Sequence, residues 1–217
     1  MNNKNVNISG KGIIPPGEYN SIKLSGSAMI LGDIKCESLN VSGSLKCEGV
    51  VDAGMIKTSG SSSFLADVKA DEIDASGSFK TTGAISCSKL SASGSLKAVG
   101  DINAGKKVNL NGNVVCAGTL SSDEIKIHFS ANTDICSVNA ENVCIRPEKT
   151  AKIFRRFASV TSSIVGDSIS LEYVKCPRVI GRVVKIGNGC SIDVVEYSES
   201  VDLSSKAKVK KVERTVQ

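Results

Sequence analysis

The chain has 217 residues, of which 41% are apolar and 23% are charged, and its formal net charge is +5 at pH 7. This composition excludes an intrinsically disordered chain, which would be poorer in apolar residues. Apolar runs reach only three or four residues, far short of the roughly 20 that span a membrane. The opening residues, Met1 to Asn5, lack the hydrophobic core of a signal peptide, so we expect a cytoplasmic protein.

Residues 1–20 are predicted to form a polar lead-in, in which Pro15-Pro16-Gly17 sets a turn. A repeat then runs in register from about residue 24 to residue 145. Its glycines recur at a short and nearly constant interval, which indicates one structural unit stacked on copies of itself. The recurring glycines are Gly26, Gly43, Gly60, Gly77, Gly94 and Gly112.

Apolar columns run in step with the glycines, and within each repeat they form the i, i+2 pairs typical of one face of a strand. A repeat of ~17 residues is too short for a strand and a crossover helix, which need roughly 30 residues. We therefore predict an all-β parallel β-helix of ~17-18-residue coils, with about three short strands per coil. The predicted core ladders are Ile34, Val51, Val68, Ile85, Ile102, Leu120 and Val138, and Leu39, Ile56, Ile73, Leu90, Val108, Ile125 and Val143.

Eight cysteines could form a disulfide framework, but geometry argues against this for most of them. Cys36 and Cys87 share a column but lie three coils apart, roughly 14 Å at the spacing of paired strands, which is too far for a disulfide. We interpret most cysteines as small buried side chains in a reducing compartment. Because the chain has no C-x-x-C motif, a zinc site is not expected.

The repeat is interrupted near residues 146–162 by an irregular basic insert. Within it, Phe154, Arg155, Arg156 and Phe157 combine aromatic and cationic side chains, which are candidates for contact with a membrane or a partner. The alternative is that a phenylalanine fills a widening of the core or packs the loop against the coil wall.

Repeat-like sequence returns after the insert, so we predict a β-helix domain over residues 21–203, followed by a basic tail over residues 204–217. The positive charge lies in this part of the chain: residues 149–217 contain 13 Lys and Arg against 7 Asp and Glu. Such a tail is typical of contact with nucleic acid or anionic lipid. Lysines on a terminal strand also block unwanted strand pairing, which is the alternative explanation.

The region after the insert contains Leu171-Glu172-Tyr173, Ile186-Gly187, Gly189-Cys190 and Val195-Glu196-Tyr197. Together with the repeat, over roughly residues 20–200, this string resembles the bactofilins, the polymer-forming cytoskeletal proteins of bacteria. The resemblance implies a right-handed β-helix that assembles end to end into filaments without nucleotide and serves as a scaffold in cell shape, envelope or motility functions. The start of the chain departs from the short hydrophobic membrane anchor of many members.

The predicted fold favours assembly independently of that resemblance. A stacked coil presents unpaired backbone groups and an open apolar core at both ends, and we see no amphipathic helix that would cap them. Filaments would follow from head-to-tail repetition or from alternating two-fold contacts. The residues leave both modes open, and the resemblance favours the second. Candidate contacts at the C-terminal end are Ile192, Val194, Val195, Val201 and Leu203.

The residues leave two other classes of function open. A β-helical acyltransferase would need a histidine base, and the chain has one histidine, His128, in a strand-like segment where a structural role is more common. A binding module could instead dock anionic lipid or nucleic acid through the basic C-terminal region.

We therefore expect a non-enzyme with no catalytic residues, cofactor or metal. Its expected partners are further copies of itself, together with a membrane surface or envelope proteins, and nucleic acid is not expected in this interpretation. The protein would lie in the cytoplasm, with membrane association as a further expectation.

Overall fold

The computed structural model describes residues 4–131, 133–149 and 156–215. These residues form 17 strands. The strands are β1 (Asn5–Ile8), β2 (Lys11–Ile14), β3 (Gly17–Leu24), β4 (Ser27–Ile30), β5 (Ile34–Val41), β6 (Ser44–Cys47), β7 (Val51–Thr58), β8 (Ser61–Phe64), β9 (Val68–Ala75), β10 (Ser78–Thr81), β11 (Ile85–Ala98), β12 (Ile102–Phe129), β13 (Thr133–Pro147), β14 (Ala158–Leu171), β15 (Val174–Ile186), β16 (Ser191–Leu203) and β17 (Lys208–Arg214).

The strands wind into a parallel β-solenoid of about 12 turns with a spacing of about 17 residues. In the N-terminal half, the four-residue strand β1 and the eight-residue strands β3, β5, β7 and β9 stack in that order. The four-residue strands β2, β4, β6, β8 and β10 form a second stack beside them. The all-β parallel β-helix predicted from the repeat is confirmed.

Each eight-residue strand contains a corner. Tyr19 pairs with Cys36 and Ser21 pairs with Ser38, whereas the residues between them make no ladder pair. The strand therefore bends at Glu37, and the same gap recurs one turn later. With the four-residue strand, each turn has three straight segments, as the pairs of apolar columns predicted.

The core is a narrow column of stacked side chains, and every residue of the two predicted ladders is buried. Side-chain volumes are balanced within each turn. Phe64 lies beside Ser62 in one turn, whereas Phe79 lies beside Thr81 in the next, and all four are 3% exposed or less. The two rings pack with centroids 4.9 Å apart. Because protein interiors are packed to crystal-like density, a large ring in a narrow bore requires a small neighbour.

The glycine column marks a corner where successive turns touch through their backbones. A Cβ on Gly43 would lie 1.8 Å from the carbonyl oxygen of Gly26, and one on Gly60 would lie 1.9 Å from that of Gly43. The amide of Ser44 donates to the same Gly26 oxygen at 2.8 Å. Any side chain in this column would therefore separate the stacked turns.

A second corner alternates between successive turns, a feature that the sequence analysis did not identify. On every other turn an aspartate Oδ1 accepts a hydrogen bond from a backbone amide of the next turn. The pairs are Asp33 with Val50 at 2.7 Å, Asp67 with Ala84 at 2.9 Å and Asp101 with Thr119 at 2.7 Å. The turns between them carry no aspartate at this corner, so the feature repeats every two turns.

The solenoid extends beyond the predicted boundaries of residues 21–203 at both ends. In the predicted polar lead-in, β1 stacks on β3 with Val6 beside Ile22, and β2 stacks on β4. In the predicted basic tail, β17 stacks on β16. Inward-facing apolar residues are interleaved there with asparagines and lysines, which made both segments resemble polar termini.

The predicted insert is shorter than expected, because β13 runs to Pro147 and β14 begins at Ala158. Ladder partners across it are Val138 with Ile164 and Ile145 with Leu171. Both pairs are separated by more chain than the spacing of about 17 residues that one turn takes elsewhere. The coil therefore continues on either side of the insert.

Candidate assembly interface

The N-terminal edge of the coil consists of β1, β2 and the start of β3. Within the described residues, β1 pairs only with β3 and β2 only with β4, so one side of each strand has no ladder partner. Val6 and Ile8 are half-buried. Ile13 is 66% exposed.

Tyr19 covers the part of this edge that β1 and β2 leave open. It occupies a column that holds Cys36 and Ala53 in the following turns, and no described strand residue stacks on its other side. The ring is nevertheless only 6% exposed. Its hydroxyl donates to the carbonyl of Pro15 at 2.6 Å, and the Nζ of Lys4 lies 5.5 Å from the ring centroid.

The C-terminal edge consists of β17 and the last residues of β16. The first part of β16 is covered by β17, whereas Val201 and Leu203 pair with β15 alone among the described strands. Leu203 is 39% exposed. On β17, Val212 is 41% exposed and Val209 is half-buried. This edge therefore presents a row of apolar side chains beside unpaired strand backbone.

The predicted end contacts divide into two groups. Ile192 and Val195 are buried beneath Val209 and Val212, and Val194 pairs with Lys211, so these three do not lie at the end of the coil. Val201 and Leu203 do lie at the edge. The sequence analysis missed Val209 and Val212 because lysines surround them. Counting one repeat onward from Ile192 and from Val195 would have identified both.

The two edges differ in charge. β17 carries four cations and one carboxylate, in the sequence KVKKVER. Lys210 lies 2.8 Å from the carboxylate of Asp193, and Lys211 lies 2.5 Å from that of Glu213. Both pairs are largely exposed and contribute little to stability. The N-terminal edge, residues 4–20, carries only Lys4, Lys11 and Glu18, and so has less positive charge than β17.

The insert places Phe157 against the outer wall of the coil. Its ring lies 5.9 Å from that of Tyr173, and the Nζ of Lys175 lies 4.6 Å from its centroid. Arg156 is exposed, whereas Phe154 and Arg155 lie outside the described residues. Phe157 thus packs against the coil, as in the alternative to a projecting membrane contact.

His128 belongs to a polar ladder on the coil surface. Its Nδ1 lies 3.1 Å from Oδ1 of Asn111, and its Nε2 lies 2.7 Å from Nε of Arg146, which donates to it. Both ring nitrogens are therefore engaged with side chains of the adjacent turns. Burial, together with the charge of Arg146, holds the pKa of His128 below its usual value. This arrangement gives His128 a structural role.

All eight cysteines are free thiols. Burial raises the pKa of Cys36, Cys47, Cys87, Cys116 and Cys176 to about 11. These thiols are therefore protonated at neutral pH, and a protonated thiol is a poor nucleophile. They act as small core side chains.

Within the described part of the chain, no group of three or more His, Cys, Asp or Glu side chains could hold a metal ion. No helix there is long and apolar enough to cross a membrane. Comparisons with protein-family models, curated proteins and solved structures found no match.

Proposed function

We propose that this chain is a structural protein that assembles end to end into filaments without nucleotide. The observation that carries the proposal is the state of the two terminal turns. Each presents strand backbone that is unpaired within the described residues, beside inward-facing apolar side chains such as Ile8 and Leu203. Edges of this kind pair with another chain unless something covers them.

The interaction expected at such a junction is the one that already holds successive turns together. Within the chain, the amide of Gly17 donates to the carbonyl of Asp33 at 3.0 Å, and comparable bonds repeat along the coil. Each such bond contributes roughly 0.5–1.5 kcal/mol net. A junction with one turn of ladder and its apolar contacts would therefore be stable and would repeat in the next copy.

The scaffold role, in cell shape, envelope or motility, is proposed from the resemblance to bactofilins. Most of the residues that carry it, 171–173 and 186–190, meet at one corner of the coil. The amide of Tyr173 donates to the carbonyl of Asn188 at 2.9 Å, and a Cβ on Gly189 would lie 2.7 Å from the Tyr173 ring. Gly189 has φ +72°, a conformation that favours glycine.

The proposal is tested by high-speed sedimentation and negative-stain electron microscopy of the purified chain, without nucleotide, in physiological buffer. We expect the wild-type chain to pellet and to form filaments. The double variant Val201→Lys/Leu203→Lys should remain in the supernatant, because it adds cations to the C-terminal edge.

The matched control is Val99→Lys. Val99 is 52% exposed on the side of the coil, so this variant should pellet like the wild type. A wild-type chain that sediments as a small species at micromolar concentration would refute the proposal.

The exposed cations of β17 favour one other function, docking to anionic lipid or nucleic acid. Lys208, Lys210 and Arg214 project from a single strand. Co-sedimentation with anionic vesicles, or binding to DNA, that falls steeply with salt would support this function. Equal co-sedimentation with neutral vesicles would count against lipid docking.

A further inference from the structure

We infer that two copies of this chain pair side by side, with their coils parallel, through the face that the short strands form. This short-strand face comprises β2, β4, β6, β8 and β10 together with residues 95–99. The pairing rests on the proposed function and adds a second partner surface, on the side of the filament. Two observations support it: an aligned row of exposed apolar side chains, and opposite charges on either side of that row.

The exposed apolar side chains are concentrated on the short-strand face. Among the described residues, six large hydrophobic side chains are exposed, and two of them, Leu203 and Val212, belong to the C-terminal edge. The other four lie on the short-strand face and are Ile13, Leu31, Leu65 and Val99. Backbone hydrogen bonds between successive turns align three of these in a central row, whose members in order are Leu31, Glu48, Leu65, Thr82 and Val99. A single exposed leucine is ordinary, whereas an aligned set indicates an interaction surface.

Lysines and aspartates flank the central row on opposite sides. Two residues before it in each turn is a second row, which holds Met29, Lys46, Ser63, Lys80 and Lys97. The Nζ of Lys46 lies 3.0 Å from the carboxylate of Glu48, so these two rows are neighbours on one surface. At the corner two residues after the central row are Asp33, Asp67 and Asp101. Farther out on the lysine side, the last row of the face holds Lys11 and then only serines.

Most of the flanking charges have no partner of opposite charge within the described part of the chain. The three aspartates are exposed and form no ion pair there. Each uses Oδ1 to accept from a backbone amide. A carboxylate has two oxygens and about four acceptor positions, so Oδ2 can accept from a second copy. Lys80 and Lys97 are also exposed and form no ion pair among these residues.

Two copies related by a two-fold axis parallel to the coil satisfy both features. Such an axis keeps each turn at its own height and lays the lysine row of each copy against the aspartate corner of the other. Lys80 of one copy then lies between Asp67 and Asp101 of the other, which are one turn below it and one turn above it, ~4.8 Å away along the coil. The central row faces itself, so each leucine meets the same leucine of the second copy.

An antiparallel pair lacks this complementarity. A two-fold axis that crosses the coil within the interface lays the lysine row on a second lysine row and the aspartate corner on a second aspartate corner. Like charges placed together across an interface are unfavourable. One such contact remains in the parallel pair, where Glu48 faces Glu48 of the other copy. Each of these carboxylates is held by its own Lys46 at 3.0 Å, so the parallel pair is favoured.

The size of the short-strand face makes the pairing dependent on the filament. From Leu31 to Val99 the central row extends over four steps of ~4.8 Å, and a strand of five residues is roughly 16 Å long. The area is therefore on the order of 300 Å² per copy, below the roughly 800 Å² per partner of a standard interface. Single chains would pair weakly. In a filament the contacts of successive copies add, because they are already linked.

The test uses single cysteines in the central row, Leu31→Cys and Val99→Cys, in pelleted filaments. Facing sheets lie ~10 Å apart, so the thiols are joined with a bifunctional maleimide of about that reach. Each single variant should give covalent dimers on a denaturing gel, because a parallel pair sets each position against itself. Val99 lies near the middle of the coil of about 12 turns, so end-to-end contacts cannot link it.

The wild type and Ser91→Cys should stay monomeric, since Ser91 is exposed on a different face of the coil. Adding Lys80→Glu to Leu31→Cys should reduce the yield of dimer, because it sets a carboxylate between Asp67 and Asp101 of the second copy. An unchanged yield would overturn the role given to the flanking charges.

Dimers that form only when Leu31→Cys and Val99→Cys are mixed would show an antiparallel pair and would overturn the inference. Filaments that pellet but give no dimer from either variant would also overturn it, while the proposed function would survive. Filaments that stay unlinked but bind anionic vesicles, and lose that binding in Leu31→Gln/Leu65→Gln, would assign the face to lipid instead. Protein that does not pellet but gives dimers would refute the proposed function alone, and protein that does neither would refute both.

Discussion

Replacing Ser62 with alanine should stabilise the protein. Ser62 is 0% exposed, and its Oγ has no hydrogen-bond partner among the described residues. Its ladder neighbours are Leu45 on one side and Phe79 on the other. The hydroxyl therefore loses its hydrogen bonds to water on folding and gains none from these neighbours. Serine is tolerated at this position because its small volume leaves room for the ring of Phe64.

The expected gain follows from the cost of a buried, unsatisfied polar group, which is about 1–3 kcal/mol. Alanine keeps the small volume that Phe64 requires and removes only the oxygen. Because loss of that atom also removes some packing contacts, we expect Ser62→Ala to raise the free energy of unfolding by about 1 kcal/mol, at the lower end of that range. Larger residues would instead overpack the turn.

Equilibrium urea denaturation followed by circular dichroism would measure the change. The matched control is Ser61→Ala, since Ser61 is an exposed neighbour on the same strand and its replacement should change stability by less than ~0.5 kcal/mol. A Ser62→Ala variant less stable than Ser61→Ala would refute the reasoning. That result would mean that the hydroxyl makes a stabilising interaction in solution.

Two further changes test the core and the polar ladder. Phe64→Ala should lower the free energy of unfolding by about 3–5 kcal/mol, because it leaves a cavity beside Phe79. The same urea assay would measure this loss. A loss below ~1 kcal/mol would show that the turns collapse around the cavity. His128 should make the free energy of unfolding fall in acid. Its pKa in the folded chain is lowered, mainly by burial, so the unfolded chain binds the proton more tightly. The stability that the neutral ring contributes is therefore present above the ordinary pKa of 6.5 and is lost as pH falls through the lower folded pKa. His128→Gln should reduce the difference in stability between pH 7.5 and 5.5, and an unchanged difference would assign the acid sensitivity to other groups.

The repeating part of the fold could be predicted because stacking turns one residue type directly on its like. Ile34, Val51 and Val68 occupy one ladder, and their fixed spacing identified it without any other information. The two edges were harder to predict, since a terminal turn has one neighbour instead of two. On β17, lysines that keep the exposed edge soluble separate the inward-facing Val209 and Val212. The local sequence pattern therefore resembled a charged tail.

The alternating corner escaped prediction for a different reason, since its period is two turns. Asp33 and Asp67 each hold a backbone amide of the following turn. That turn carries a glycine at the contact, because a Cβ on Gly49 or Gly83 would lie 2.5 Å from the aspartate Oδ1. When each turn of the sequence is compared with the next one, an aspartate-bearing turn is always compared with a glycine-bearing turn. The two-turn spacing of the aspartates does not show in such a comparison.

The two-turn period has a physical consequence for folding. In a solenoid whose turns were all alike, a slip by one whole turn would preserve every inward-facing ladder and would cost little. Here such a slip would bring two aspartate-bearing turns together and would leave a glycine-bearing turn without its carboxylate. Exposed apolar residues alternate in the same way, since Leu31, Leu65 and Val99 lie just before the three aspartates and are 48%, 43% and 52% exposed. Neighbouring turns are therefore not interchangeable, and the alternation favours the native register over its nearest competitor.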